Sequence, residues 1–121
     1  MTPTVQFAVF PGWCVRRLAT PAPPRLALCR LDDGDERVIS TFTEFPELLV
    51  PVRGFASLQE RLSWTIAVHE SLGPALTMTP EDGHDFVCAA QAAGFDYHKG
   101  DLIYWLARRI GAWLSQGEPP A

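Results

Sequence analysis

The first half of the chain consists of short runs of β-branched and aromatic residues separated by turn-forming residues. Residues 5–10 form one such run, and residues 13–18 form a second that follows a Pro-Gly pair. Runs of this composition predict strands. The proline-rich stretch at residues 20–24 predicts a stiff extended connection, because proline fixes its own φ and restricts the residue before it.

Two further runs, residues 25–31 and 37–42, predict the arms of a β-hairpin around an acidic tip at residues 32–36. Residues 45–52 are apolar but contain two prolines, which remove ladder hydrogen bonds. This segment predicts an edge strand or an irregular covering segment.

The hairpin sequence is compatible with two registers. Asp33-Gly34 suits a two-residue turn with positive φ at both positions. That turn would place Arg30 opposite Arg37, and like charges in a cross-strand pair are unfavourable. A three-residue loop would place Arg30 opposite Val38 instead, so the sequence leaves the register open.

The second half of the chain predicts three helices, because its apolar residues recur at the helical period. The first helix covers about residues 57–72. Ser57 and Glu60 supply a capping box at its start, and a Gly-Pro pair ends it. The stripe predicted to face the core consists of Leu58, Leu62, Ile66, His69 and Leu72.

The other two helices follow within residues 79–114. Thr79 and Pro80 suit the N-cap and first position of the second helix, and Gly94 suits its end. The third helix is predicted to begin near His98 or Lys99. Its predicted core face consists of Leu102, Ile103, Leu106, Ile110, Trp113 and Leu114.

Strands followed by helices are typical of an α+β domain. We predict a small antiparallel sheet of three or four strands with three helices packed on it, and a winged-helix-like arrangement is also compatible with this order. The 121 residues predict a single domain, mainly β over residues 1–53 and helical over residues 54–117.

The composition adds expectations about location and partners. A net charge of −4 argues against a nucleic-acid partner, because phosphate binding requires a basic surface. Three cysteines without close spacing do not predict a disulfide framework, and no run predicts a signal peptide or a membrane span. Nine of the ten basic residues are arginine, which suits a GC-rich bacterial genome. We therefore expect a bacterial, cytoplasmic protein without a membrane partner.

Residues 79–102, TPEDGHDFVCAAQAAGFDYHKGDL, resemble the second half of the Nif-eleven-type leader-peptide domain, and residues 58–62 are similar to an earlier helix of that family. The family combines a capped Ala-rich helix, an Ala-Gly-Phe-Asp-Phe link and an acidic start of the next helix. The resemblance implies a recognition domain for modifying enzymes. The matching positions are Thr79, Pro80, Glu81, Ala93, Gly94, Phe95, Asp96, Tyr97, Asp101 and Leu102.

A few residues could carry chemistry. His84 and Cys88 are four apart on a predicted helix and could share a metal ion, with a third ligand from His98, Cys14 or Cys29. The alternative places the pair on the solvent face. No metal-binding, nucleotide-binding or catalytic motif accompanies them, so we expect no metal and no cofactor.

His69 lies in the predicted apolar stripe of the first helix, where it could be a core residue or the base of a small His-dependent enzyme. The acidic hairpin tip could be solvated, bind a cation weakly or face an Arg-rich partner. Its acids are Asp32, Asp33, Asp35 and Glu36.

The third helix offers aromatic and arginine side chains beside its predicted core face. Trp and Tyr, together with Arg, are enriched where interfaces concentrate their binding energy. The sequence therefore predicts a non-catalytic protein- or peptide-binding module. The candidate partner-binding residues are Tyr104, Trp105, Arg108, Arg109 and, on the first helix, Trp64.

Four other interpretations remain open at this point. A small acidic inhibitor of the immunity or phage anti-defence (anti-CRISPR-like) kind would bind through the hairpin tip. An enzyme would use His69. The Trp105 surface could also pair two copies of the chain in a homodimer, and otherwise the extra aromatic residues form a second layer of the core.

Overall fold

The computed structural model of this protein describes residues 6–18 and 24–116. This part of the chain begins with four strands, β1 (Gln6–Phe10), β2 (Trp13–Leu18), β3 (Arg25–Asp32) and β4 (Asp35–Thr43). They form one antiparallel sheet in which each strand pairs with the next along the chain. The predicted extended connection at residues 20–24 lies outside the described residues except for its last proline.

Four helices follow the strands, namely α1 (Val50–Arg53), α2 (Leu58–Ser71), α3 (Pro80–Ala92) and α4 (Leu102–Ser115). Strands followed by helices confirm the predicted α+β class, although the described helices number four rather than three. None of the helices in the described residues is long and apolar enough to cross a membrane.

The additional helix, α1, lies in the segment for which the sequence predicted an edge strand or an irregular covering segment. This segment instead forms two short helical turns. A 3-10 turn at Pro46–Leu49 leads directly into α1. Both prolines of this segment occupy early positions of a helical turn, where a missing N–H has little cost. The edge-strand alternative is therefore wrong, and fully buried Leu48 anchors the segment to the core.

The β3–β4 hairpin adopts the two-residue turn. Asp33 and Gly34 have φ values of 45° and 87°, as a turn with two positive φ angles requires. Arg30 consequently lies directly opposite Arg37. Of the two registers that the sequence allowed, the structure has the one with facing arginines.

A carboxylate from α3 compensates for these facing arginines. Asp82 accepts hydrogen bonds from both guanidinium groups, at 2.6 Å from Arg30 and at 2.9 Å and 3.2 Å from Arg37. Asp32 and Asp85 add further ion pairs around them. The hydrogen bonds from Arg37 and then Arg30 lower the pKa of Asp82 to about 2. The hairpin tip is thereby fastened to the N-terminal turn of α3.

The sheet has two different faces because side chains alternate along each strand. One face packs against the helices and contributes Trp13 and Val15 to the main core. The opposite face holds a separate small cluster formed by Cys14, Ala27 and Cys29.

Helix α2 turns a different side to the core from the one predicted. Trp64, Val68 and Leu72 are buried, whereas three residues of the predicted stripe are largely exposed. The sequence carries apolar residues on two sides of this helix, and periodicity alone does not identify which side is covered. Of the predicted stripe only Leu72 is buried; the residues exposed are Leu58, Leu62, Ile66 and His69.

Helix α4 packs tightly on its neighbours along one side. Leu106, Ala107 and Ile110 are fully buried. The sequence predicted Leu106 and Ile110 on the core face of this helix. Gly111 touches the backbone of the covering segment, because a Cβ atom at position 111 would lie only 2.0 Å from the carbonyl oxygen of Leu48. Only glycine permits this approach of helix to backbone.

Replacement of Gly111 by alanine should therefore destabilise the fold by about 1–3 kcal/mol, the usual cost of overpacking. Gly83→Ala in α3 is the matched control, because the added Cβ would meet nothing within 4 Å. Alanine is favoured over glycine in a helix by up to about 1 kcal/mol, so this variant should be neutral or stabilised. Denaturant unfolding measures both, and equal responses of the two variants would contradict the assigned contact.

The Asp82 cluster predicts a pH-dependent loss of stability. The pKa of Asp82 in the folded protein is about 2, below its ordinary value of 3.8. The ionised carboxylate therefore stabilises the fold fully at pH values above 3.8. Asp82→Asn should lower the thermal midpoint near neutral pH. The difference from wild type should shrink as the pH falls from 3.8 towards 2.

Thermal unfolding followed by circular dichroism across this pH range measures the effect. Asp35→Asn is the control, because it removes one negative charge from an exposed position of the hairpin that forms no ion pair among the described residues. A deficit of Asp82→Asn that stays constant in acid would contradict the role assigned to the charge.

Candidate functional site

A cavity of about 520 Å³ lies between α2, the link between α3 and α4 (residues 93–101) and α4 itself. This volume falls within the range of about 300–1,000 Å³ that is usual for binding pockets. Four of the five predicted contact residues line it: Trp64, Tyr104, Trp105 and Arg108. The other lining residues are Arg61, Thr65, Gly94, Phe95, Asp96, Lys99, Gly100 and Asp101. We refer to this cavity as the α2–α4 pocket.

Aromatic rings form much of the pocket wall. The rings of Trp64 and Tyr104 lie 5.5 Å apart between centroids, and so do those of Phe95 and Trp105. The guanidinium carbon of Arg108 lies 5.4 Å from the centroid of Trp64. These separations are those of stabilising aromatic and cation–π contacts, so the wall is held in shape by its own members.

The link between α3 and α4 is shaped by two glycines and one carboxylate. Gly94 ends α3 with a φ of 108°, and Gly100 has a φ of 148°. Between them the Asp96 carboxylate accepts a hydrogen bond of 2.9 Å from the His98 backbone N–H. The backbone of Gly100 is not helical, so α4 begins only at Leu102. The predicted start of this helix near residue 98 or 99 is therefore wrong.

The pocket contains more cationic than anionic side chains. Arg61, Lys99 and Arg108 line it together with Asp96 and Asp101. Among the described residues, these three cations form no ion pair, and one of the two acids is engaged in capping the link. An anionic group entering the pocket would therefore meet three cations and two acids, a lining with a net charge of one positive.

Trp64 faces the core, whereas the sequence predicted it away from the core-facing side of the helix. Its side chain is only 2% exposed and belongs to the main core while it also lines the pocket. Within the described residues, its indole Nε1 is buried and has no hydrogen-bond partner. A buried, unsatisfied donor costs about 1–3 kcal/mol, so this group favours any acceptor that can reach it.

Arg109 contacts the sheet and does not line the pocket. Its guanidinium donates a hydrogen bond of 2.6 Å to the carbonyl oxygen of Val9 in β1. It also lies 4.9 Å from the ring centroid of half-buried Trp105, which is the stacking that their spacing predicts. Arg109 therefore orients the Trp105 indole, which forms part of the pocket wall.

An exposed aliphatic stripe runs along α2 beside the pocket. Leu58, Leu62 and Ile66 are 71%, 53% and 56% exposed and follow one another at intervals of four residues. Arg61 and Thr65, which line the pocket, lie three residues from members of this stripe and therefore adjoin it on the helix surface. We refer to these three aliphatic residues as the α2 stripe.

His84 and Cys88 lie together on the exposed side of α3. This is the solvent-face position that the sequence offered as the alternative to a metal site. The Sγ atom of Cys88 lies 3.6 Å from Nε2 of His84. In the described part of the chain, no third ligating side chain joins them. Cys14 and Cys29 are instead grouped with Glu36 on the sheet.

His69 is exposed on α2, whereas the sequence placed it in a stripe facing the core. Its imidazole contacts the Tyr104 ring edge-on, with 5.6 Å between centroids. This contact places His69 beside a residue of the pocket wall.

The acids of the hairpin tip are partly engaged within the protein. Glu36 forms an ion pair of 2.6 Å with Arg16, and Asp32 pairs with the facing arginines of the hairpin. Asp33 and Asp35 are exposed and, among the described residues, form no ion pair.

The sequence did not indicate the pocket residues Arg61, Phe95 and Lys99, nor the exposure of the α2 stripe beside them. Arg61 could have been found, since it lies three residues before Trp64 and therefore on the same side of α2. Phe95 and Lys99 lie in the irregular link, where no periodicity indicates orientation. The exposure of the α2 stripe was missed because its residues were assigned to the core.

No known protein family matches the sequence, and neither curated proteins nor solved structures give a significant match. The function is therefore argued from the pocket and the stripe themselves.

Proposed function

We propose that this chain is a non-catalytic protein- or peptide-binding module. Its partner would lie across α2 and α4, with aliphatic side chains on the α2 stripe and one anchoring side chain in the α2–α4 pocket. The observation that carries the proposal is the position of this aromatic pocket directly beside three largely exposed aliphatic residues.

The stripe favours a peptide or protein over a small molecule. A ligand that filled only the pocket would leave the α2 stripe in water. Contiguous exposed apolar side chains with a polar rim are typical of protein contact sites. Tyr104, Trp105 and Arg108 also belong to the residue types that dominate binding energy at interfaces.

The charges of the pocket favour an acidic anchor. A carboxylate entering it could pair with Arg61, Lys99 and Arg108, which lack ion pairs among the described residues. Arg108 lies over the Trp64 ring, and the buried indole N–H of Trp64 lacks a hydrogen-bond partner among the described residues, so a partner that supplied an acceptor there would gain that bond. The proposed partner segment therefore combines aliphatic or aromatic residues with an aspartate or glutamate.

Selection from a random peptide library tests this proposal directly. Peptides selected on the wild-type protein should be enriched in acidic residues flanked by apolar ones. Affinity for a selected peptide should fall at least about tenfold in Trp105→Ala and in Leu62→Gln, as is usual for residues central to an interface. Arg108→Gln should weaken binding and also reduce its dependence on salt.

Matched variants elsewhere on the protein serve as controls. Leu31→Gln changes a 40% exposed leucine on β3, and Arg25→Gln removes an arginine that bonds to threonines on β4. Both should bind the peptide like wild type. Selected peptides that are basic, or that bind every variant equally, would overturn the proposal.

A second copy of the chain is the alternative occupant of the α2 stripe. Sedimentation velocity distinguishes it, because a dimer formed through the stripe should dissociate in Leu62→Gln and not in Leu31→Gln. That result would overturn the proposal of a peptide partner and show that the stripe forms a homodimer interface.

Less supports the other two interpretations. An acidic inhibitor would present the hairpin tip, but Asp32 and Glu36 are already paired with arginines of the same chain. A His-dependent enzyme would require a polar partner for His69, whose imidazole contacts the ring of Tyr104 edge-on.

A further inference from the structure

The second face of the sheet brings two cysteines together. Cys14 in β2 and Cys29 in β3 lie directly opposite each other in the antiparallel register, and both side chains are fully buried. Glu36 in β4 extends to the same place. The two sulfur atoms and one carboxylate oxygen all lie within 4.8 Å of one another.

The distances suit coordination of a single ion. Cys14 Sγ lies 3.7 Å from Glu36 Oε1. Ligands at about 2.3 Å (sulfur) and about 2.0 Å (oxygen) around a tetrahedral zinc ion are separated by roughly 3.5 Å. Only small movements of the side chains would therefore be needed to close these three groups on one ion.

Arg16 fixes the orientation of the carboxylate. Its Nε donates to Glu36 Oε1 at 2.9 Å, and its Nη2 donates to Oε2 at 2.6 Å. Outer partners of this kind orient the ligands of metal sites and tune their affinity. The Glu36 side chain is 30% exposed, so the cluster is reached from solvent on the carboxylate side.

We propose that Cys14, Cys29 and Glu36 form a binding site for a borderline-soft divalent cation of the Zn²⁺ class. Two thiolates with one carboxylate are donors that such ions accept, and they leave one tetrahedral position for water or an external ligand. The site lies on the face of the sheet opposite the helices and is independent of the proposed peptide partner.

The exchange of protons for the ion leaves the net charge of this buried place unchanged. Metal-bound cysteines are thiolates, so both thiols give up a proton on binding. On binding, two S–H bonds break, two S–metal bonds form, and two protons pass to water. Counting the two cysteines, Glu36 and Arg16, the net charge is zero before and after, because two protons are exchanged for one divalent ion.

Titration of the reduced full-length protein with Co²⁺ and Zn²⁺ tests the site. Co²⁺ should produce thiolate-to-metal charge-transfer absorption at one equivalent, and Zn²⁺ should displace it. Because the thiols lose their protons on binding, affinity should rise with pH. Glu36→Gln should weaken binding by about tenfold or more and still fold, and Arg16→Gln should weaken it by about 10–100-fold.

Cys29→Ala should abolish the charge-transfer band, whereas Cys88→Ser, which changes the exposed cysteine of α3, should retain it. Circular dichroism checks that each variant is folded. If Cys29→Ala does not fold, the Glu36→Gln titration and the pH dependence of the wild type decide the question. Absence of a thiolate band in the reduced wild type, or an unchanged band in Cys29→Ala, would overturn the proposal.

Discussion

The contact between Gly111 and the backbone of Leu48 is the constraint on which the position of α4 depends. The absence of a side chain at position 111 lets the helix approach the covering segment until the two backbones touch. Leu106, Ala107 and Ile110 then fill the space between this helix and its neighbours. The Arg109 bond to the Val9 carbonyl fixes the same helix to β1. With α4 held on both sides, its remaining surface forms the wall of the α2–α4 pocket.

Electrostatic contacts fix the helix that precedes the pocket. Asp82 joins the facing arginines of the hairpin to the first turn of α3, so that helix cannot slide along the sheet without breaking the hydrogen bonds of the buried Asp82 carboxylate. Gly94 and Gly100 then shape the link that closes the pocket.

Much of the fold could be predicted because its signals are local. Thr79 accepts a hydrogen bond from the Asp82 N–H at 3.2 Å, as its N-cap assignment required, and Asp33-Gly34 forms the turn that its sequence favours. The register of the hairpin could not be decided, because the cost of facing Arg30 with Arg37 is offset by a carboxylate 45 residues away from Arg37. The sequence does not indicate such a distant partner.

The candidate site was predictable in part for the same reason. Residue types and helical spacing indicated Tyr104, Trp105 and Arg108, but the side of α2 that faces the core depends on tertiary packing. Trp64 was therefore expected away from the core and Leu62 within it, and the structure reverses both. The Cys14–Cys29 pairing likewise depends on the register of β2 against β3, which the local sequence did not indicate.

The most direct test of the central claim is the indole region of a ¹H–¹⁵N correlation spectrum recorded during titration with a selected acidic, apolar peptide. The account predicts that the indole signals of Trp64 and Trp105 shift with the peptide, while that of Trp13, buried between the sheet and α3, stays in place. Binding that leaves Trp64 and Trp105 unshifted, or that shifts Trp13 equally, would contradict the assignment of the α2–α4 pocket as the binding site.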